Sequence, residues 1–171
     1  SPIQSLEDLR GRTLALQSAA STSAYTVPLV ELMEAKLSPE ILLDPSDEPA
    51  SDRVGFVLAR SELNIASWVH KGLADAGAVS NLDWNDPQRL PEAFKGDFRL
   101  IHETMPYPRA LELVSKGMAP EARARLREVL LQAADDPEAQ HALRMFFGTS
   151  RFLPLDRESE QALDVLRAGE R

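Results

Sequence analysis

The apolar residues of the first two thirds of the chain fall into short runs separated by stretches of helical spacing. Five short runs have the length of buried strands, at residues 12–17, 54–59, 74–79, 98–103 and 109–115. Helical spacing between the first three runs predicts helices over residues 25–36 and 61–71. A short helical turn is predicted at residues 6–9, before Gly11. This alternation predicts a mostly parallel sheet flanked by helices, which is an α/β fold.

Local signals refine this outline. Ser61 is a favoured N-cap residue and Gly72 a favoured helix stop, so both ends of the second helix are marked. Residues 37–52 are polar and rich in proline, which predicts a turn or short helix followed by a loop. Residues 74–79 are small, so another part of the molecule can approach their backbone closely.

The pattern changes beyond residue 115, where the chain becomes helical. Helices are predicted over residues 120–134, 137–147 and 156–168. Pro120 and Pro137 open the first two of them, where proline costs least, and Gly148 and Gly169 follow the ends of the last two. The sequence therefore predicts an α/β part followed by a helical C-terminal part.

Composition narrows the classes of function. The net charge is −8 and the pI about 4.9, which argues against binding to nucleic acid or to an anionic membrane surface. A small anionic ligand remains compatible, because anion sites are built from backbone N–H groups at helix ends. The chain contains no cysteine and three histidines, so disulfides are excluded and a metal site is not expected. No cofactor motif is present, and no catalytic motif points to an enzyme.

The candidate chemistry lies in a hydroxyl cluster between the first strand and its helix. Ser21, Thr22 and Ser23 occupy a predicted helix N-terminus, where free N–H groups and the helix dipole favour an anion. Ligands of open α/β sheets bind beyond the carboxyl ends of the strands, which is where the cluster falls. The alternative interpretation is an ordinary N-cap in a serine-rich loop.

Other candidates for the ligand site are weaker. Ser61 can donate a hydrogen bond from the start of the second helix, and Asn81 follows the third predicted strand and can face a ligand cleft. Tyr107 lies on a predicted hinge segment and can line the same cleft. Arg60 can supply positive charge, although the preferred interpretation is a solvated arginine that pairs with Glu62 or Asp52.

Several segments resemble the phosphate/phosphite/phosphonate substrate-binding family of ABC transporters. The matching segments are Ser1-Pro2-Ile3, Leu6-x-Asp8-Leu9-x-Gly11-Arg12, Ser21-Thr22-Ser23-x-Tyr25-x-x-Pro28, the stretch 68–79 and the return segment 100–108. The resemblance covers about residues 1–118. It implies a type II periplasmic binding protein, in which the hydroxyls of Ser21, Thr22 and Ser23 hold the oxygens of the ligand. Asp75 recurs in the family pattern and is interpreted as a structural residue that supports its turn.

The resemblance also implies a domain organisation. Residues 1–108 correspond to the α/β ligand-binding lobe, and residues 109–171 to the return strand and a helical segment of an otherwise missing first lobe. A strand without its sheet has an unpaired edge, so the last third needs another partner, and self-association is one expectation. The chain departs from the family at Ala24, which replaces glycine, and at Ser61, which replaces a ligand-contacting histidine. The return segment, Met105 to Pro108, also lacks the usual aspartate.

The function implied is reversible binding of a small oxyanion, such as phosphate or a phosphonate, for uptake through an ABC transporter permease. The implied location is periplasmic or extracytoplasmic, and the chain itself shows no signal peptide at Ser1. The alternative is an extracytoplasmic ligand-sensing domain of a signalling protein, since this fold serves both purposes.

Overall fold

The computed structural model of the chain describes residues 2–108, 110–146 and 148–169. They divide into two compact units. The first contains the residues through Met105 together with those from Asp164 onward, and the second spans Pro106–Leu163. Among the described residues, no helix combines the length and the apolar character needed to cross a membrane.

The first unit is built on a parallel sheet of four strands, β1 (Arg12–Leu16), β2 (Ser38–Ile41), β3 (Arg53–Leu58) and β4 (Ala76–Gly77). Their order is β2-β3-β1-β4, so β1 is flanked on both sides. Leu14 of β1 aligns with Phe56 of β3 and with Ala76 of β4. The predicted α/β fold is confirmed. Parallel strands need crossover connections, and helices form the connections from β1 to β2 and from β3 to β4.

Helices in the first unit follow the strands as the pattern predicted. A 3₁₀ turn spans Glu7–Leu9, and a π-helical turn at Thr22–Thr26 leads directly into α1 (Val27–Glu34). The helix α2 (Glu62–His70) follows β3, and two short helices, α3 (Asn81–Trp84) and α4 (Glu92–Lys95), follow β4. The last two were not predicted, since four residues carry too little periodicity to be recognised.

Two hydrophobic clusters cover the two faces of the sheet. Leu14 and Leu16 of β1 belong to a cluster with Leu32 of α1, whereas Ala15 belongs to one with Ile65 of α2. Alternate residues of a strand point to opposite faces, so β1 is buried on both. This explains why β1 reads as a continuous apolar run rather than an alternating one.

The second unit contains the helical part. Its helices are α5 (Pro120–Gln132), followed by a 3₁₀ turn at Ala133–Asp135, then α6 (Pro137–Met145) and α7 (Arg157–Gly169), which the unit boundary divides. The two predicted proline starts are confirmed. The predicted end of α6 at Phe147 lies outside the described residues, and Gly169 is the last residue of α7 instead of following it.

Two predictions about strands were wrong. Residues 38–41 form β2, where a turn or short helix was expected. Pro39 has no N–H to donate, but β2 is an edge strand that pairs only with β3, and an edge tolerates proline. Conversely, residues 98–103 and 110–115 form no strand, and Arg109 lies outside the described residues. Ile101 is partly buried against the first hydrophobic cluster, but Leu100 and Leu113 are 63% and 84% exposed.

Candidate functional site

The candidate site lies at the carboxyl edge of the sheet, where three neighbouring strands end. Because β3, β1 and β4 are parallel neighbours, their carboxyl ends meet at one edge, with about 4.8 Å between adjacent strands. Each of these strands is followed by a serine that caps the next helix. The capping serines are Ser21, Ser61 and Ser80. Three helix N-termini therefore begin at the same edge.

The turn at Ser21 has an unusual backbone. The Ser21 hydroxyl oxygen accepts a hydrogen bond from the N–H of Ala24 at 3.1 Å, so the expected N-cap in the serine-rich loop is confirmed, with Ser21 as the capping residue. The N–H of Thr26 donates to the carbonyl of Ser21 across the wide π turn, inside which Ala24 departs from helical φ and ψ. Single π turns occur often at functional sites, and this one widens the opening of the helix.

Thr22 and Ser23 lie at the first turn and are exposed. The first N–H groups of a helix have no acceptor within the helix. Among the described residues no acceptor is found for the N–H groups of Thr22 and Ser23, nor a partner for their hydroxyls. These two residues therefore offer several neutral donors to solvent, whereas Ser21 uses its oxygen to hold the turn.

The turn at Ser61 repeats the capping arrangement on the adjacent strand. The Ser61 hydroxyl oxygen accepts from the N–H of Asn64 at 3.2 Å, and the Asn64 side-chain amide donates to the carbonyl of Ala59 at 2.7 Å. The predicted cap at Ser61 and stop at Gly72, which has a φ of +71°, are confirmed. The residue before the cap, Arg60, has a φ of +69°, in a region that residues other than glycine rarely adopt.

Gln17 joins the two turns. Its N–H donates to the carbonyl of Ala24 at 2.9 Å, and its own carbonyl accepts from the N–H of Arg60 at 2.8 Å. The N–H of Ala59 donates to the carbonyl of Leu16 at 2.7 Å. Backbone pairing between β1 and β3 therefore continues past the strands, and it fixes the spacing of the two helix N-termini.

The third turn offers less to a ligand. The Ser80 hydroxyl donates to the Asp83 carboxylate at 2.6 Å and accepts from the Asp83 N–H at 3.1 Å, so its hydrogen-bonding capacity is largely used. Asn81 is exposed at the start of α3, and its side-chain amide is without a partner among the described residues. A ligand role for Asn81 stays a prediction.

Charge at this edge differs from the sequence-based interpretation. The Glu62 carboxylate, directly after the Ser61 cap, is paired with Arg89 at 2.7 Å. Within the described part of the chain, no ion pair joins Arg60 to Glu62 or Asp52, so the expected pairing of Arg60 was wrong. Arg60 is exposed beside the two serine turns. Sequence reasoning gave no role to Arg89, because it lies in a loop 27 residues from its partner.

Neither Asp75 nor Tyr107 belongs to the three serine turns. The Asp75 carboxylate accepts from the N–H of Thr13 at 3.0 Å, which confirms a structural role at the amino end of the sheet. Tyr107 is half-buried in the second unit, outside regular secondary structure, and its role in binding stays a prediction.

A depression of about 510 Å³ also lies at the amino ends of the strands, lined by Arg12, Ser51 and Asp75 among others.

Tyr25 belongs to the core. Its ring meets that of Phe56 edge to face, with 5.9 Å between the centroids. The side chain therefore packs the π turn that precedes α1 against β3.

Comparisons with known proteins agree with this architecture. A family model described as the phosphonate periplasmic substrate-binding protein of ABC transporters matches residues 1–159. No curated protein matches the chain. Two solved structures of XAC2383 from Xanthomonas citri, one bound to chloride ion and one bound to ATP, are each 51% identical to the chain.

Their TM-scores are 0.89 for the chloride-bound structure and 0.90 for the ATP-bound structure, and each comparison covers 99% of this chain. It covers 61% of the first structure and 62% of the second, so the chain spans about three fifths of their length. The periplasmic-binding-protein type of α/β fold is thereby confirmed. The chain belongs to the family of phosphonate-type periplasmic substrate-binding proteins of ABC transporters.

Proposed function

We propose that this chain is part of an extracytoplasmic solute-binding protein that reversibly holds a phosphate- or phosphonate-bearing anion for delivery to an ABC transporter permease. The observation that carries the proposal is that two serine-capped helix N-termini, at Ser21 and Ser61, follow adjacent strands. Both point their free N–H groups to the same edge of the sheet. Such an arrangement suits an anion with several oxygens.

The hydrogen-bond donors of this site are neutral, which allows the ligand to be released. Hydroxyl and backbone N–H groups carry no net charge, so they bind an oxyanion without forming a buried ion pair. Thr22 and Ser23 present both kinds of donor within one turn. Positive charge comes from the exposed guanidinium of Arg60, which can pair with the ligand from solvent. This compensates for Ser61, a neutral residue at the position where the family has histidine.

The relative XAC2383 supports an anionic ligand. XAC2383 has been solved with ATP and with chloride, and both ligands are anions. ATP presents its phosphates as a chain of oxyanions, so a site made of two adjacent helix N-termini can take a terminal phosphate. We therefore include phosphate esters beside inorganic phosphate and phosphonates among the candidate ligands.

The test is calorimetric titration of the 171-residue chain with ATP, inorganic phosphate, methylphosphonate and sulfate, together with thermal unfolding. A ligand present at a hundredfold excess over its Kd stabilises the folded state by about 2.7 kcal/mol. We expect binding of at least one phosphate-bearing ligand and its loss in Thr22→Val with Ser23→Ala. These two side chains are exposed, so the substitutions leave the fold intact.

The matched control is Ser51→Ala, at the amino ends of the strands, where the depression of about 510 Å³ lies. Wild-type affinity in this variant supports the carboxyl edge as the site. Loss of binding in Ser51→Ala, but not in the double variant Thr22→Val with Ser23→Ala, contradicts the proposed location. If the chain binds none of the ligands, the proposed function of this chain is contradicted.

A further inference from the structure

A buried carboxylate lies at the start of α2, beside the proposed ligand edge. Glu62 is the first residue of that helix, directly after the Ser61 cap, and only 7% of it is exposed. Its carboxylate accepts a hydrogen bond from the Arg89 guanidinium at 2.7 Å. A carboxylate so deeply buried needs a partner, and Arg89 is the one that the structure provides.

Glu62 and a bound anion compete for the same helix end. A negative charge in the first turn is favoured by the helix dipole, and this holds for a carboxylate and for a ligand phosphate alike. An anion held by the N–H groups of that turn lies within about one helical pitch, roughly 5.4 Å, of the Glu62 backbone. Without a compensating cation, the carboxylate would repel the ligand from the donors it needs.

Arg89 is placed to provide that compensation. Its N–H donates to the carbonyl of Asp86 at 3.0 Å, and the next residue, Leu90, is buried and bonded to the same carbonyl. The loop is therefore anchored while the Arg89 side chain stays half-exposed. A guanidinium has five N–H donors, so one contact with Glu62 leaves others directed elsewhere.

We propose that the Glu62–Arg89 ion pair sets the anion affinity of the α2 N-terminus, with Arg89 as a positioning residue that neutralises Glu62. The proposal rests on the proposed function and adds an electrostatic control to it. The effect of the pair is largest for ligands of high negative charge, such as a phosphate ester, because their affinity responds most strongly to the charge at this helix end.

The test is a double-mutant cycle in affinity, using ATP and inorganic phosphate as probes. Arg89→Gln leaves the carboxylate uncompensated and is expected to weaken binding about tenfold, since unit charges less than a Debye length apart interact appreciably. Glu62→Gln is nearly isosteric, and it is expected to tighten binding several-fold. The double variant carries the same net charge as the wild type, so its affinity should return to near the wild-type value.

Two further variants separate charge from packing. Arg89→Lys keeps the charge, so we expect its affinity within about threefold of wild type, and higher salt should shrink every difference. Arg125→Gln is the control, because it breaks an exposed pair of similar geometry with Glu128 in α5. We expect no change in affinity from it.

The outcomes are distinguishable. Opposite effects of Glu62→Gln and Arg89→Gln support the inference. Equal affinities in all variants, or weaker binding in both single variants and in the double variant, would mean that the pair is structural only, and would overturn the inference. If Arg89→Gln does not fold, the Glu62→Gln and Arg89→Lys affinities decide the question. If the wild-type chain binds neither probe, the proposed function fails, and the inference fails with it.

Discussion

The N–H of Arg60 donates a hydrogen bond to the carbonyl of Gln17 at 2.8 Å, beyond the last paired residues of β3 and β1. This bond joins the two loops that lead to the Ser21 and Ser61 caps. The Arg60 backbone reaches it with a φ of +69°, in the left-handed region. The spacing of the two helix N-termini is thus held by a backbone conformation that is costly for an L-residue.

The cost at Arg60 can be measured with two substitutions. A left-handed conformation costs an L-residue roughly 1–2 kcal/mol, and glycine avoids that cost. We therefore expect Arg60→Gly to be about 1 kcal/mol more stable than Arg60→Ala in urea unfolding. Both variants lack the guanidinium, so their difference reports on the backbone alone. Equal stability of the two variants would show that the left-handed conformation is not strained.

A second prediction concerns Asp75, whose carboxylate takes the place of a neighbouring strand as the hydrogen-bond partner at the amino end of β1. Thr13 is buried, and its N–H donates to the Asp75 carboxylate. Asp75→Ala leaves that N–H unpaired, so we expect a loss of about 1–3 kcal/mol in the free energy of unfolding. Asp75→Asn keeps an acceptor and loses only the exposed contact with Arg12 at 3.6 Å, so it should cost less than about 1 kcal/mol. Similar losses in both variants would contradict this role.

The third prediction concerns the close approach of α2 to β4. A methyl group at Gly77 would overlap Ile65 Cγ2 and lie 3.2 Å from Val69 Cγ2. Both neighbours are β-branched and cannot easily move aside, so Gly77→Ala should cost about 1–3 kcal/mol through overpacking. Gly96→Ala is the control, because no atom lies within 4 Å of a methyl group there. An unchanged melting temperature in Gly77→Ala would refute the close packing.

The fourth prediction is a pH dependence at Asp8. The N–H groups of Gln4 and Ser5 donate to its carboxylate at 2.9 and 3.1 Å, and they lower the pKa of Asp8 below its usual value of 3.8. A lowered pKa means that the stabilisation is present above the unfolded-state pKa and is lost as the pH falls through the folded-state pKa.

Asp8→Asn should therefore be less stable than wild type at neutral pH, and the difference should shrink as the pH falls below 3.8. Urea unfolding at a series of pH values measures this. A difference in stability that does not vary with pH would show that the carboxylate charge is not what those N–H groups stabilise.

The sequence predicted most of the first unit because its signals were local. The runs 12–17 and 54–59 are buried on both faces, and such runs are visible without knowledge of the fold. The edge strand at residues 38–41 was missed, because Ser-Pro-Glu-Ile shows no alternation of apolar and polar residues and is poor in β-branched residues. The apolar runs at 98–103 and 110–115 gave a false prediction, since a strand needs a partner that the run itself does not specify.

The candidate site was predicted only in part, for a similar reason. Ser61 and the hydroxyl cluster that contains Ser21 were found because N-cap residues are marked by their type and by the helix that follows. The contribution of Gln17 depends on a backbone bond to Arg60, 43 residues away, and that of Arg89 on an ion pair with Glu62. Neither relationship has a local signature, so both became visible only in the folded chain.

The location of the anion site is tested most directly by an amide NMR titration of the chain with ATP, with Arg89→Gln and Thr22→Val as comparison samples. We expect the largest saturable shifts at the N–H groups of Thr22, Ser23 and the first turn of α2, with weaker binding in both variants. Shifts confined to the amino ends of the strands, around residues 10–13, or the absence of saturable shifts, would contradict the central claim that the serine-capped carboxyl edge binds the anion.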